Sequence, residues 1–364
     1  MNPFSCLLFI TLLLATFMQG CSSPPENMRI LWPPPPKEAR LEFVATYTSQ
    51  NDFSKSKSEK FLDTISDAFG PAFIAPFGVL SDGKGKVFVS DRLRKDITIV
   101  DFNKKGISFL GENVSFGRPL GMAMDDVGGI YVADGKRNRV VVFPPNDLPT
   151  YFIGDQSTLE RPAYIAINNN LGRLYVSDGK SHRIAVFDMN GKHLFFIGSV
   201  GSDKGQFFAP QGLAIDHDNN LFVADMLNSR IQVFDADGKF AYSFGRQGSR
   251  YWDFENPKDL AFTNDGTLYV LDARKALLLA YTPKGKLKYF IGNETRSAHP
   301  LAFASPSAIY IDGSDRIYIA DQVNKRFSVW QHLTKAYLKK HPITEKELGV
   351  LRRRSENVSP TAIK

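Results

Sequence analysis

The chain has 364 residues with 43% apolar and 12% aromatic content, and its formal net charge is +7 at pH 7. This composition can bury a large core, which excludes a disordered chain, and the length exceeds that of most single domains unless the chain is built from repeats. The two cysteines are not part of a Cys-x-x-Cys-His motif, so the chain itself attaches no c-type haem.

The N-terminal segment has the pattern of an export signal. Residues 1–20 carry no charged side chain, and the run from Leu7 to Met18 has about the length of a secretory apolar region and is too short to span a membrane. The following Met18-Gln19-Gly20-Cys21 resembles a bacterial lipoprotein signal, in which a small residue precedes a cysteine that becomes lipidated. We therefore predict a signal peptide over residues 1–20 and lipidation of Cys21. An ordinary signal peptide or an unprocessed apolar anchor is the alternative.

Residues 21–39 are predicted to form a proline-rich tether. Four consecutive prolines follow Trp32 and favour polyproline II, a semi-rigid spacer, although a disordered linker would serve equally. Cleavage before Cys21 would leave one cysteine and therefore no internal disulfide. In lipoproteins that this signal resembles, the absence of aspartate at Ser22 and Ser23 implies the outer membrane. We expect a cell-envelope protein on the periplasmic or surface side of that membrane.

Six related units follow one another along the chain. Each contains an apolar strand that ends in an aspartate, and the aspartates are 43 to 49 residues apart. They are Asp91, Asp134, Asp178, Asp225, Asp272 and Asp321. A proline stands fifteen or sixteen residues before each aspartate and opens the first strand of the unit. A third strand follows the aspartate, and a fourth ends in glycine in five units. Four strands in about 45 residues is the signature of a propeller blade.

The last unit lacks a fourth strand, because the sequence after Trp330 is no longer strand-like. A strand near the N-terminus, within residues 40–49, is predicted to pair with residues 327–330 and so close the ring, which also covers an exposed edge. We therefore assign residues 40–332 to the propeller, with the blades beginning at about residue 74.

Residues 50–73 have helical apolar spacing and are predicted to plug the channel mouth or to offer a docking surface. Residues 333–364 are predicted to form a basic helix or tail.

The repeats resemble NHL repeats, and residues 205–235 match that pattern almost throughout (GQF, PxG, AxD, VAD and NxRIQVFD). The resemblance covers about residues 73–330. Together with the signal and the WPPPP spacer, it resembles bacterial NHL-type propeller lipoproteins of cytochrome-rich bacteria. It implies an all-β fold, a six-bladed β-propeller of four-stranded blades closed by an N-terminal strand. It says little about function, because one scaffold supports unrelated activities.

The parity of the strands places a basic surface on one face. Successive strands run in opposite directions, so the loops after the second and fourth strands of every blade lie on the same face. The four positions after each repeat aspartate, hereafter the aspartate loops, read RLRK, GKRN, GKSH, MLNS, ARKA and QVNK. They contain nine Lys or Arg and no acid, whereas the whole chain has 45 Lys or Arg in 364 residues.

We interpret the six aspartates as stabilising their turns and the basic residues outside the repeat pattern as a candidate partner-binding surface, with a merely solvated surface as the alternative. Two aromatic residues in the loop before blade five are added as contact anchors. The candidate residues are Arg92, Arg94, Lys95, Arg118, Lys136, Arg137, Arg161, Lys180, Tyr251, Trp252, Arg274, Lys275 and Lys325.

Three classes of function are known for folds of this kind. We favour a monomeric, membrane-anchored binding or scaffold module that docks an anionic protein, such as a multihaem c-type cytochrome, and we expect no catalytic residues, metal or cofactor. The alternative is a metal-dependent propeller enzyme, lactonase- or lyase-like, with its site in the central channel. No two of the six histidines occupy equivalent repeat positions, which does not support such a site. Nucleic-acid binding, known for cytoplasmic NHL domains, does not fit an exported lipoprotein.

Overall fold

A computed structural model describes residues 29–34, 37–49, 52, 72–146, 148–292, 296–299, 301–345 and 347–348. The predicted signal peptide, Cys21 and nearly all of the helix predicted within residues 50–73 lie outside them. Among the helices that the structure describes, none has the length and apolar character needed to cross a membrane.

The described residues form six antiparallel sheets, and the prediction of an all-β, six-bladed propeller is confirmed. The first three blades consist of β3 (Pro76–Ser81), β4 (Lys86–Asp91), β5 (Asp96–Asp101) and β6 (Gly106–Phe109); β7 (Pro119–Met124), β8 (Ile130–Asp134), β9 (Arg139–Phe143) and β10 (Tyr151–Ile153); and β11 (Pro162–Asn168), β12 (Arg173–Asp178), β13 (Arg183–Asp188) and β14 (His193–Ile197).

The remaining blades continue the same order. They consist of β15 (Pro210–Ile215), β16 (Leu221–Asp225), β17 (Arg230–Phe234) and β18 (Phe240–Phe244); β19 (Pro257–Phe262), β20 (Leu268–Asp272), β21 (Leu277–Tyr281) and β22 (Leu287–Gly292); and β23 (Pro306–Ile311), β24 (Arg316–Asp321) and β25 (Arg326–His332), joined by β1 (Ile30–Trp32) and β2 (Leu41–Tyr47). The first strands of neighbouring blades contact one another in a closed cycle, so they surround the axis of the ring.

The second strands show why the sequence folds this way. All residues of β8, β16 and β20 are buried, because both faces of each blade pack against neighbouring blades. Strands covered on both faces are apolar throughout rather than alternating, and the stacked faces form hydrophobic clusters between adjacent blades. The fourth strands, such as β14, alternate between exposed and covered residues because they lie at the rim.

The predicted closure of the ring is confirmed. Strand β2 pairs with β25 in antiparallel register, with Leu41 opposite His332 and Tyr47 opposite Phe327. The Trp330 side chain is fully buried, and its ring meets that of Phe43 edge-on at 5.1 Å between centroids. The N-terminal strand therefore completes the sixth blade and covers the edge of β25.

Part of the segment expected to be a tether belongs to the fold. Strand β1 adds a fifth strand to blade six, with Ile30 opposite Phe43. The indole nitrogen of Trp32 donates a hydrogen bond to the carbonyl oxygen of Phe290 in blade five at 2.6 Å. Within the predicted tether of residues 21–39, β1 is thus held by the blade and is not a free spacer. Its apolar Ile-Leu-Trp sequence is the feature that could have indicated a strand here.

The beginning of the predicted basic tail also packs on the closure. Helix α1 (Lys335–Lys340) is capped at its N-terminus by Thr334, whose hydroxyl accepts a hydrogen bond from the backbone N–H of Tyr337. Tyr337 and Leu338 pack on a small cluster that includes the buried Leu31 of β1. The apolar face of the helix faces the closing strands, and its lysines are exposed.

Candidate functional site

Each repeat aspartate is buried and joins two loops. Both oxygens of Asp91 accept backbone hydrogen bonds, Oδ2 from Ile74 and Ala75 at 2.6 and 2.9 Å, and Oδ1 from Leu93 and Arg94 at 3.0 Å each. The other five repeat aspartates accept from the loop before their blade in the same way. These contacts are structural, because they use most of the acceptor capacity of the carboxylates and leave little for a ligand. This agrees with the role interpreted from the sequence.

These bonds tie the aspartate loops to the loops that connect successive blades, so both sets lie on one face of the ring, as strand parity required. We call it the aspartate face. The loops after first and third strands form the opposite face. Every candidate partner-binding residue lies on the aspartate face, because each belongs to an aspartate loop or to a loop between blades.

Seven of the predicted cations are exposed. Within the part of the chain that the structure describes, none of them has a carboxylate within 4.0 Å. They are Arg92, Lys95, Arg118, Arg161, Lys136, Arg137 and Lys325. They belong to blades six, one and two and to the loops leading into blades two and three. The sequence placed basic residues around most of the ring, and the structure concentrates the unpaired ones on these adjacent blades.

The remaining predicted cations are engaged within the fold. Arg94 pairs with Asp96 at 3.0 Å, Lys180 with Glu160 at 3.2 Å and Arg274 with Glu255 at 3.1 Å. Lys275 is buried. Its ammonium donates to the carbonyl oxygens of Arg250 and Asp253 at 2.5 and 2.7 Å. The structure therefore removes Lys275 from the predicted surface. Sequence could not show this, because the loop carbonyls that hold its ammonium lie 22 and 25 residues away.

The two predicted aromatic anchors differ from each other. Tyr251 stacks on Phe290, with 4.4 Å between ring centroids and 10° between planes, so its ring is part of the packing between the loop and blade five. Trp252 is 52% exposed. Only Trp252 of this pair presents a large aromatic surface to solvent.

The structure adds a set of exposed apolar side chains to the candidate residues. Each lies in an aspartate loop or a loop between blades, and each is more than 40% exposed. They are Ile74, Leu93, Val200, Phe208, Leu227 and Val323, which accompany Trp252. These residues occupy positions that vary between repeats. Their departure from the repeat pattern is the feature of the sequence that could have indicated them. Exposed apolar groups rimmed by charge are typical of interaction sites.

The opposite face has the other charge. Its loops between first and second strands carry eight aspartates and one lysine: Asp82, Asp125, Asp126, Asp216, Asp218, Asp265, Asp312, Asp315 and Lys84. Most of these aspartates accept backbone hydrogen bonds within their own turns, as Asp216 does from Asp218 and Asn220. The loops after third strands add six lysines and three aspartates, so aspartates outnumber lysines on the opposite face, whereas cations predominate in the aspartate loops.

The central channel is blocked toward the aspartate face. A cavity of about 290 Å³ runs along the first strands on the side of the opposite face. Tyr164, which stands where blades one, two and four have glycine, crosses the axis from blade three, and its hydroxyl donates to the carbonyl oxygen of Ser307 in blade six at 2.6 Å. Its ring lies 5.4 Å from that of Phe77 in blade one. Together these two rings divide the channel from the aspartate face.

The channel wall is mainly apolar. Among the described residues that line it, Asp259 is the one carboxylate, and its oxygens accept backbone hydrogen bonds from Leu260 and Ile309 at 2.9 Å each. Burial raises the pKa of the Asp259 carboxyl to about 8. No group of three His, Cys, Asp or Glu side chains that could hold a metal occurs in the described part of the chain. The donor set along this channel does not fit the metal of a propeller lactonase.

Comparison with known proteins supports the architecture. Residues 155–242 match the model of a family described as a 6-bladed beta-propeller, and residues 116–143 match the NHL repeat model. The first match spans blades three and four, and the second spans most of blade two. No curated protein matches the sequence significantly.

Several solved structures share the fold at low identity. Virginiamycin B lyase from Staphylococcus aureus has a TM-score of 0.55 and 14% identity, covering 71% of this chain and 96% of that one. An auxiliary nutrient binding protein from Bacteroides thetaiotaomicron has a TM-score of 0.56 and 13% identity, covering 72% and 70%. A putative gluconolactonase has a TM-score of 0.55 and 14% identity, covering 72% and 89%. Catalytic and binding proteins are both represented, so the likeness shows the fold alone. The protein is a six-bladed β-propeller that contains NHL-type repeats.

Proposed function

We propose that this propeller is a docking module that binds an anionic protein through its aspartate face. The observation that carries the proposal is the combination on that face of exposed large apolar side chains and exposed cations that have no carboxylate partner among the described residues. Arginine and aromatic residues are enriched in protein interfaces, and a cationic surface steers an anionic partner toward them. A surface that only faces solvent and binds no partner would carry the charges without the accompanying apolar side chains.

The geometry favours a broad contact over a deep pocket. The axis is filled by Tyr164 and Phe77 beneath the aspartate face, so a partner would lie across the loops. The free cations of blades one and two, including Lys95 and Lys136, would meet an acidic surface, and Leu93 in the same loop as Lys95 would supply apolar contact. An acidic multihaem c-type cytochrome has the required chemistry.

Reversing four of the unpaired cations is expected to abolish docking at low salt. The variant combines Lys95→Glu, Arg118→Glu, Lys136→Glu and Arg137→Glu. These side chains are exposed and make no ion pair within the described residues, so the fold should be retained while the sign of the surface changes. Binding is measured by titrating a purified acidic c-type cytochrome and by quantifying the proteins that cross-link to the full-length chain in its native envelope.

A control with the same change in net charge separates the surface from global electrostatics. It carries Lys84→Glu, Lys192→Glu, Lys239→Glu and Lys286→Glu, all exposed on the opposite face. We expect the control to bind as the native protein does, and native binding to weaken as ionic strength rises. Equal binding by the native and aspartate-face variants would reject the proposal. If the native protein bound no cytochrome but the aspartate-face variant lost other cross-linked proteins, the docking surface would stand and only the identity of the partner would change.

The proposed location is the outer membrane, with lipid on Cys21 as the anchor. Cys21→Ser is expected to move the protein from the membrane fraction to the soluble envelope fraction, because a lipoprotein cysteine carries several acyl chains and a propeller without them has no comparable anchor. Cys6→Ser serves as the control, since this residue precedes the predicted cleavage site. Fractionation with detection of the chain gives the result, and continued membrane association of the Cys21 variant would reject lipidation as the sole tether.

A catalytic role in the channel is the second candidate. The cavity of about 290 Å³ and the shared fold of the lyase and putative gluconolactonase favour it. Asp259 and Tyr164 are the polar side chains at its inner end, and the raised pKa of Asp259 would allow a neutral carboxylic acid near pH 7. Turnover of lactone substrates that is lost in Asp259→Asn would support this candidate over the docking module.

A further inference from the structure

A largely buried lysine lies near the axis of the propeller. Lys258 is the second residue of β19 and its side chain is largely buried. Its ammonium donates one hydrogen bond, to Oε1 of Gln211 in blade four at 2.9 Å. The next residue, Asp259, directs both carboxylate oxygens to backbone N–H groups and forms no ion pair with it. Among the described residues, no carboxylate forms an ion pair with this ammonium, and a buried charge is costly unless it is paired.

The ammonium lies above the aromatic pair that divides the channel. Its nitrogen is 5.7 Å from the ring centroid of Phe77 and 5.9 Å from that of Tyr164. Gln211 and Phe77 each follow the proline that opens their first strand, so this level of the axis adjoins the aspartate face. The lysine is therefore separated from the main channel cavity, whose lining does not include it.

Two arginines on other blades add positive charge near Lys258. Arg92 begins the aspartate loop of blade one, and its backbone N–H donates to the carbonyl oxygen of Ala75, directly before the inner strand β3. Arg161 directly precedes β11 in blade three. A Cβ placed on Gly179 would lie 3.2 Å from Nε2 of Gln211 and 4.0 Å from Nη2 of Arg161, so these two side chains converge above that glycine. The charges of Arg92 and Arg161 both act on Lys258.

We propose that Lys258, Arg161 and Arg92 form a binding site for a phosphate group on the propeller axis at the aspartate face. The three cations come from blades five, three and one, which alternate around the ring. Positive charge therefore acts on this part of the axis from three blades, which suits an anion such as a phosphate group. Gln211 contributes a neutral donor beside them, and Gly179 leaves the space open. The exposed surface used for docking provides entry, but the site does not depend on a protein partner.

The titration behaviour of the site agrees with this assignment. Burial lowers the pKa of Lys258 to about 8, with the positive charges of Arg92 and Arg161 adding to that effect and the charge of Asp259 opposing it. The pKa of Asp259 itself is raised by burial to about 8, and burial raises that of Tyr164 well above 10. Above pH 8 the lysine loses its proton and Asp259 becomes charged. Both changes disfavour an anion, so phosphate binding should weaken between pH 7 and pH 9.

Phosphate binding by the purified full chain tests the site. Inorganic phosphate is titrated calorimetrically against chloride at matched ionic strength, and vesicles with and without phosphatidic acid are tested in parallel to distinguish a free phosphate from a lipid headgroup. Lys258→Met is expected to weaken binding about tenfold or more, because an ammonium in contact with the anion is removed. Arg161→Gln should also weaken it, Lys258→Arg should retain it, and Lys84→Met on the opposite face should leave it unchanged.

The outcomes are distinct. Lys258→Met should remain folded, since it removes an unpaired buried charge, and its unfolding midpoint verifies this. Binding of either probe that is lost in this variant supports the site, and the probe that binds identifies the source of the phosphate. Binding of neither probe by the native chain, or equal binding by Lys258→Met, would overturn it. The docking variant leaves Lys258 unchanged, so the phosphate-binding result and the docking result can fail separately.

Discussion

Replacing Asp225 with alanine is expected to lower the free energy of unfolding by about 3 to 5 kcal/mol, the usual cost of removing one partner of a buried charge pair. The carboxylate is fully buried and accepts hydrogen bonds from Phe208 N, Asn228 Nδ2 and Gln232 Nε2. It also pairs with Arg230 at 2.8 Å. Alanine would leave the backbone N–H of Phe208 without its acceptor and would release the aspartate loop from the loop before β15, while the amides of Asn228 and Gln232 would each lose one of two acceptors. Urea unfolding of the native and variant chains measures the difference.

Asp237→Ala provides the matched control. Asp237 lies in the turn between β17 and β18 of the same blade, its side chain is 73% exposed, and its nearest cation is 3.8 Å away. Surface ion pairs of this kind contribute little, so this variant should unfold near the native midpoint. If the two variants were equally stable, the repeat aspartates would not be the structural ties that we describe.

Trp330→Ala is expected to destabilise the protein by a comparable amount, about 3 to 5 kcal/mol, through the cavity that it leaves. Trp330 is fully buried where the N- and C-terminal strands meet, against Phe43 of β2. Because this is the junction that closes the ring, we also expect the N-terminal segment to become sensitive to limited proteolysis. Unfolding curves and the rate of cleavage before residue 72 give the two measurements.

Trp252→Ala controls for the loss of an indole. Trp252 is 52% exposed in the loop before blade five, so its removal should change the free energy of unfolding by less than about 1 kcal/mol. A large loss of stability in this variant, or none in Trp330→Ala, would contradict the role assigned to the closure. Trp252→Ala should instead weaken docking if the aspartate face binds a protein.

The candidate site was predictable only in part. The aspartate loops could be assigned to one face because antiparallel strands alternate in direction, and this required no coordinates. Which cations remain free could not be predicted, since pairing depends on residues distant in sequence. Lys275 and Arg94 look alike in the aspartate loops, yet one is buried against loop carbonyls and the other pairs with Asp96.

The axial site illustrates the same limit. In sequence, Lys258 occupies an ordinary position after a repeat proline, and Asp259 stands where the standard repeat has glycine. Gln211, Arg161 and Arg92 come from three other blades, and only closure of the ring brings their side chains toward one axis. The polarity of the two faces, in contrast, can be recognised from the loops once their parity is known.

The sequence by itself determined the architecture of this protein, because each blade is a local unit whose strands, turns and aspartate recur at nearly constant spacing. It also determined the closing strand, since the last repeat lacks one strand and the N-terminal segment supplies it. Only the tertiary structure decided the fifth strand of blade six, the burial of Lys275, the exposed apolar groups of the aspartate face and the cations on the axis. These features depend on contacts between blades, which no single repeat encodes.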